Sequence, residues 1–270
     1  MPEGKVLFMD LDDTLLSDDK TVSPKNREAI RAALSRGHSV VVTTGRPLKS
    51  GKAVVKDLGL TAQGCYMIAF NGSVLYDCAA DRILKEKTVP LNLVKTLFDA
   101  AKKAGIYIQT YDKEDVLAPQ YTEELKFYTT HTGMTYRILP DTGNALQEEP
   151  YKALLISLES RRILEEFQKG QQSWCEGKLN SFFSSSNYLE YCPYGVDKGG
   201  AVLEFCEYFG IPLKQTVAVG DECNDVSMIK AAHIGVAVQN AVDVAKEAAD
   251  YITKRDHNQA AVAEVIEMFL

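Results

Sequence analysis

Three short apolar runs, each stopping abruptly at a polar group, constrain this chain more than any other feature. KVLFMD is apolar at every position from Val6 until Asp10, HSVVVTTGR from Val40 until Thr43 and Thr44, and QTVAVGDECND from Val217 until Asp221. A strand with one face in water alternates apolar and polar residues. One that is apolar throughout is buried on both faces, which is the mark of a parallel sheet covered by helices. Ligands of such sheets bind beyond the carboxyl ends of the strands, where these three runs place their polar residues.

The segments between the runs support that reading. SPKNREAIRAALSRG has Ser23 as an N-cap, Pro24 at the first helical position and Gly37 to close the helix. YMIAFNGSVLYD reads as two strands joined through Asn71-Gly72. From residue 84 the rhythm changes: helices expected near 90–104, 120–130 and 160–169 alternate with GIYIQTYD, TYRILP and KALLISLE. After SFFSSSNYLEYCPYG the strand-and-helix alternation resumes, with a helix over VDKGGAVLEFCEYFG capped by Gly210 and a last amphipathic helix from about His257. The expected fold class is α/β: a mostly parallel sheet in a core domain built from residues 1–83 and 188–270, with an α+β domain inserted at 84–187.

Composition excludes several function classes. Apolar residues make up 46% and charged residues 25%, the balance of a globular chain, and 270 residues suffice for two modest cores. The net charge of -7 weighs against nucleic acid or an anionic membrane as partner, and no apolar segment approaches the length of a membrane helix. The opening residues do not read as a secretion signal, and the six cysteines show neither a CxxC pair nor zinc-ligand spacing. A cytoplasmic protein with reduced cysteines is expected; its oligomeric state is not legible.

The polar residues at the strand ends carry the chemistry. Asp10 and Asp12, two apart after a strand, can face one centre from different directions, one attacking and the other protonating a leaving group. Asp221 and Asp225, brought beside Asp10, make the hard oxygen site that magnesium prefers, while Asp225 alone also reads as a helix cap. TTGR is either a strand end and turn or a cradle in which the Thr44 hydroxyl and backbone N–H groups hold phosphoryl oxygens. Arg46 reads equally as a salt bridge or a substrate contact. Lys198 near a helix start opposes the helix dipole, so it is either an exposed lysine or a cation set against the attacking carboxylate. Asn71 and Gly72 are turn formers at the same edge, placed to contact phosphate or substrate, and His131 in the insert is a candidate substrate contact.

In order, DLDDTL, TTGR, GVDKG and GDECND resemble the four signature motifs of the haloacid dehalogenase-like phosphatases. With NG after the third strand, the long insert and the ending GVAVQNA, the chain is more closely similar to the Cof-type branch, whose members include bacterial sugar phosphatases. That resemblance covers essentially the whole chain and implies a Rossmann-like core with a cap domain. It further implies Asp10 as nucleophile and magnesium ligand, and Asp12 as general acid/base offering its carbonyl to the metal. Thr44 would bind the phosphoryl group and Lys198 neutralise it; Asp221 would ligate magnesium, supported by Asp225 and Asn224, and Thr14 would hold the loop. The expected substrate is a small phosphorylated metabolite; a phosphomutase and a binding protein without turnover are the alternatives. One departure is Asp13, where that family most often has glycine.

Overall fold

The computed structural model describes residues 4–270; Met1–Glu3, on which the reading of the opening residues partly falls, lie outside it. The described residues divide into two compact units, one of residues 4–45, 51–85 and 197–270 and the other of 46–50 and 86–196. Each has its own sheet and its own apolar core.

The first unit, which holds all but the first three residues of α2 and the last of β5, opens with β1 (Val6–Met9), α1 (Pro24–Ser35), β2 (Ser39–Thr43), α2 (Leu48–Asp57), β3 (Cys65–Ala69), β4 (Val74–Asp77) and β5 (Arg82–Glu86). The second unit follows as α3 (Leu91–Ala104), β6 (Tyr107–Tyr111), β7 (Val116–Ala118), α4 (Glu123–Thr132), β8 (Tyr136–Ile138), α5 (Thr142–Ala145), β9 (Ala153–Ile156), α6 (Arg161–Cys175), β10 (Leu179–Ser185) and β11 (Tyr188–Pro193). The chain then returns to the first unit as α7 (Lys198–Phe209), β12 (Thr216–Gly220), α8 (Val226–Ala231), β13 (Ile234–Ala237), α9 (Asp243–Ala248), β14 (Tyr251–Ile252) and α10 (Ala261–Phe269).

In the first unit the strand order is β14-β13-β12-β1-β2-β3-β4-β5. Pairs from β14 to β3 are parallel, and β3–β4 is the antiparallel hairpin expected around Asn71-Gly72. The chain leaves β1 toward β2 on one side and comes back to β12 on the other, so the topological switch lies between β1 and β12, where open α/β sheets bind ligands. Full burial of β1, β2 and β12 follows from their unbroken apolar runs. One face of the sheet packs through Phe8, Val41, Ile68 and Ala218 on Val202 and Phe205 of α7, with the Phe8 and Phe205 rings edge to face at 5.3 Å. On that helix Leu203 and Tyr208 are nevertheless exposed, so its apolar stripe is wider than the face it buries.

The second unit has a six-stranded sheet ordered β10-β11-β9-β6-β7-β8, antiparallel except for β7–β8. Ile108, Ala153, Leu155, Leu189 and Tyr191, at alternate strand positions, pack on Val94, Leu97 and Phe98 of α3 and Leu164 and Phe167 of α6. The positions between them carry polar groups: Lys152 donates to Glu190 at 2.5 Å, Gln109 to the Tyr111 hydroxyl at 2.8 Å, and all four are buried. Two details depart from the sequence reading. The loop from β3 to β4 is a short 3₁₀ turn, Phe70–Gly72, with Phe70 and Asn71 both at positive φ, and the last helix is preceded by a separate turn, His257–Gln259, broken from it by Ala260 at φ 65°. Among the described residues no helix is long and apolar enough to cross a membrane.

Candidate active site

Asp10, Thr44 and Asp221 follow the last residues of β1, β2 and β12, and the parallel register sets those strands side by side. The Asp10 N–H donates to the carbonyl of Val219 at 3.0 Å and the Thr44 N–H to that of Ile68 at 2.8 Å, so the ladder continues up to the site. Carboxylate oxygens of Asp10, Asp221 and Asp225 lie within 4.8 Å of one another, and all three residues are buried.

Lys198, the first residue of α7, sits among these acids. Its ammonium donates to Asp10 and to Asp225, each at 2.5 Å, and its side chain is 1% exposed. Asp197 directly before it caps α7 by accepting from the Gly200 N–H at 2.7 Å, so this helix start is built to hold its lysine. Burial works against the charge on Lys198, but the carboxylates of Asp10 and Asp225 overcome it and lift its pKa above the ordinary lysine range. Burial pushes the Asp10 carboxyl up to about 7; Lys198 opposes the shift while Asp225 and Asp12 add to it. Asp221 is driven well above the carboxylate range by burial and by Asp10 and Asp225, against a hydrogen bond from the Thr14 hydroxyl at 2.7 Å. Three carboxylates facing one ammonium leave an excess of buried negative charge. A hard, oxygen-seeking dication fits that donor set.

The loop bearing Asp221 is held by local bonds. Asp225 accepts with its second oxygen from the N–H groups of Asp221 at 3.0 Å and Glu222 at 3.1 Å, while Glu222 accepts from the Cys223 N–H at 2.6 Å. Glu222 is thus half of a reciprocal capping box with Asp225, which accounts for the extra acid beside the site. Asp225 is both cap and site residue.

Asn224 and Asn71 meet: the Asn224 side-chain amide donates to the Asn71 side-chain Oδ1 at 3.0 Å, and the Asn71 backbone N–H donates to the Thr44 backbone carbonyl at 3.0 Å. Gly72 lies at φ +116°, and a Cβ there would stand 2.7 Å from the Asp197 carbonyl oxygen. Its missing side chain lets the turn approach the helix start that carries Lys198. Asp13 has φ 58°, the left-handed region that asparagine and aspartate enter more readily than other non-glycine residues, so its departure from glycine keeps the loop conformation.

Asp12 is partly exposed and pairs with Lys20 at 3.3 Å, as does Asp13. Lys20 is a neighbour that the sequence reading missed; it comes back to the acidic loop because Ser17 and Thr21 close a local turn. Arg46 and His131 belong to the second unit. Arg46 lies close enough to Tyr128 to act on its hydroxyl electrostatically, and His131 is exposed on α4 with its Nδ1 2.7 Å from the Phe127 carbonyl. Of the cap aromatics, Tyr111 and Tyr128 are core residues and Tyr121 is exposed.

Residues 7–266 match the profile of a family described as haloacid dehalogenase-like hydrolase. A 5-amino-6-(5-phospho-D-ribitylamino)uracil phosphatase of Bacillus subtilis is 28% identical over 92% of this chain and 89% of its own. A haloacid dehalogenase-like hydrolase of Bacteroides thetaiotaomicron superposes with a TM-score of 0.89 at 28% identity, covering 99% of this chain and all of that one. A Thermotoga maritima protein superposes with a TM-score of 0.82 at 30% identity, covering 98% and 97%.

Proposed function

The chain belongs to the haloacid dehalogenase-like hydrolases, enzymes of phosphoryl transfer through an aspartate, and from that premise we propose that Asp10 is the nucleophile and a small phosphorylated sugar or sugar alcohol the substrate. The observation that carries the reading is the buried Lys198 ammonium bonded to Asp10 within a cluster of three carboxylates. A purely structural ion pair needs one acid, and burying three around one lysine is costly unless a further cation joins them.

In the proposed reaction an Asp10 oxygen attacks phosphorus in line as the ester P–O bond breaks, and Asp12 gives its proton to the departing oxygen. Asp12 then takes a proton from water, whose oxygen attacks the aspartyl phosphate, releasing inorganic phosphate and Asp10. Thr44 and the backbone around it hold the phosphoryl oxygens, and Lys198 both orients Asp10 and offsets the charge of the transferring group. Asp10, Asp221, Asp225 and the carbonyl of Asp12, with Asn224 in support, would hold magnesium, which when bound offsets the repulsion between anionic nucleophile and anionic ester. Arg46, Asn71 and the backbone of Gly72 are proposed substrate contacts, and His131 a contact of the inserted cap, residues 84–187 in our reading of the sequence.

The sugar-alcohol reading is supported by the name of the similar Bacillus subtilis phosphatase, whose substrate is a phosphorylated ribityl compound. The proposal is of a cytoplasmic enzyme with a soluble metabolite as partner, and neither nucleic acid nor membrane. Phosphate release across sugar phosphates, ribityl phosphates including flavin mononucleotide, pyridoxal phosphate and nucleoside monophosphates, with magnesium and with chelator, tests it. Wild type should release phosphate from the first two groups only with magnesium, and Asp10→Asn should release none; turnover by Asp10→Asn would overturn the assignment.

A further inference from the structure

Two of the six cysteines face each other across the hairpin that carries Asn71. In the register of β3 and β4, Tyr66 pairs with Asp77, and one rung further out the Cys78 N–H donates to the Cys65 carbonyl at 3.2 Å. Residues directly opposite in an antiparallel pair point to the same face of the sheet. Directly opposite residues of an antiparallel pair have Cα atoms about 4.5–5.5 Å apart. A disulfide spans Cα separations of about 4.4–6.8 Å, a range that includes directly opposite residues of an antiparallel pair.

We propose that Cys65 and Cys78 form an intramolecular disulfide site, closing the open end of the β3–β4 hairpin. Cys175 and Cys192 belong to the other unit, Cys206 lies on α7 in the core of the opposite sheet face, and Cys223 is in the Asp221 loop. The ring closed by the bond contains Phe70 and Asn71, both at positive φ, and Asn71 is the residue that bonds Thr44 and Asn224. The cross-link therefore braces a turn that the fold otherwise holds by hydrogen bonds.

A small-molecule disulfide such as glutathione disulfide is the oxidant. One cysteine thiolate attacks it, forming a mixed disulfide and releasing one glutathione thiolate; the second thiolate attacks the mixed disulfide at the protein sulfur and releases the other. Two protein thiols and one glutathione disulfide thus become one protein disulfide and two glutathiones. Both cysteines are buried, and burial raises both thiols, Cys78 to about 12, so the thiolate is scarce in the folded state. Reaction accordingly requires fraying of the hairpin's open end or occurs as the chain folds.

The test has two arms, the folded full-length protein incubated with glutathione disulfide just below its melting temperature, and reduced protein refolded from urea into the same reagent. In at least the refolding arm, free thiols should fall from the six of the reduced chain to four, with peptide mapping placing the link between Cys65 and Cys78. The melting temperature of the monomer should rise relative to the reduced form and return with dithiothreitol. Cys65→Ala and Cys78→Ala, checked for fold by circular dichroism, should each form no internal link. A different pairing, glutathione retained as the end product in wild type, six thiols remaining in both arms, or an internal disulfide in either variant would overturn the proposal.

Discussion

At the scale of single residues, charge and conformation are set by different neighbours. Asp10 and Asp221 hold raised pKa values because burial and neighbouring carboxylates disfavour their charge. Without metal the folded protein therefore binds more protons than the unfolded chain between the ordinary carboxylate range and about 7, and its stability falls as pH rises through that window. Magnesium bound by these acids, as proposed, would compete with those protons. Its affinity should climb across the same window and level off above it, as titration calorimetry from pH 5 to 8 would show, while thermal melts in chelator should lose stability with rising pH. Gly72 is held by conformation instead: at φ +116° and with the Asp197 carbonyl 2.7 Å from any Cβ, Gly72→Ala should cost about 1–3 kcal/mol in urea unfolding and lower turnover, because the clash falls on the residue before Lys198.

At the scale of elements, the short turn Cys223–Asp225 gives the Asp221 loop its shape through the Glu222–Asp225 capping box. Replacing Glu222 with alanine leaves every carboxylate of the cluster in place but removes one of the two caps. It should cost about 1 kcal/mol of stability and raise the magnesium concentration needed for half-maximal activity, measured by activity against magnesium. Elements of this kind were largely readable. The Ser23 cap with Pro24 behind it and the Gly210 cap appear as the residue types require, because caps act over three or four residues. The turn after β3 was placed correctly but not shaped: its 3₁₀ form depends on Phe70 taking φ 50°, which a bulky residue does only when its surroundings hold it there.

At the scale of the whole molecule, two sheets with separate cores share one chain. The core of the first unit centres on Phe8, Val202 and Phe205, that of the second on Leu97, Leu155 and Phe167. Phe205→Ala and Leu155→Ala should each cost about 2–5 kcal/mol, but in different units. Magnesium, by mass action on the folded state that binds it, should raise the calorimetric transition weakened by Phe205→Ala and leave unchanged the one weakened by Leu155→Ala. A uniform response of both transitions would contradict the placement of a magnesium site at the Asp10, Asp221 and Asp225 cluster, which lies wholly in the first unit.

The sequence by itself determined the parallel sheet, the hairpin and the acids at the strand ends, because unbroken apolar runs, caps and turn residues act within a few positions of the chain. It also carried the order of the four motifs that leads to the family. Only the tertiary structure decided that Lys198 bonds Asp10 188 positions away, that Thr14 bonds Asp221 across 207, and that Asn224 meets Asn71 across 153. Lys198 shows the division most clearly. Its local sequence permits an exposed lysine as readily as a buried one, and what buries it is the packing of α7 on the sheet, where the acids that end β1 and follow β12 supply the charge that compensates its desolvation.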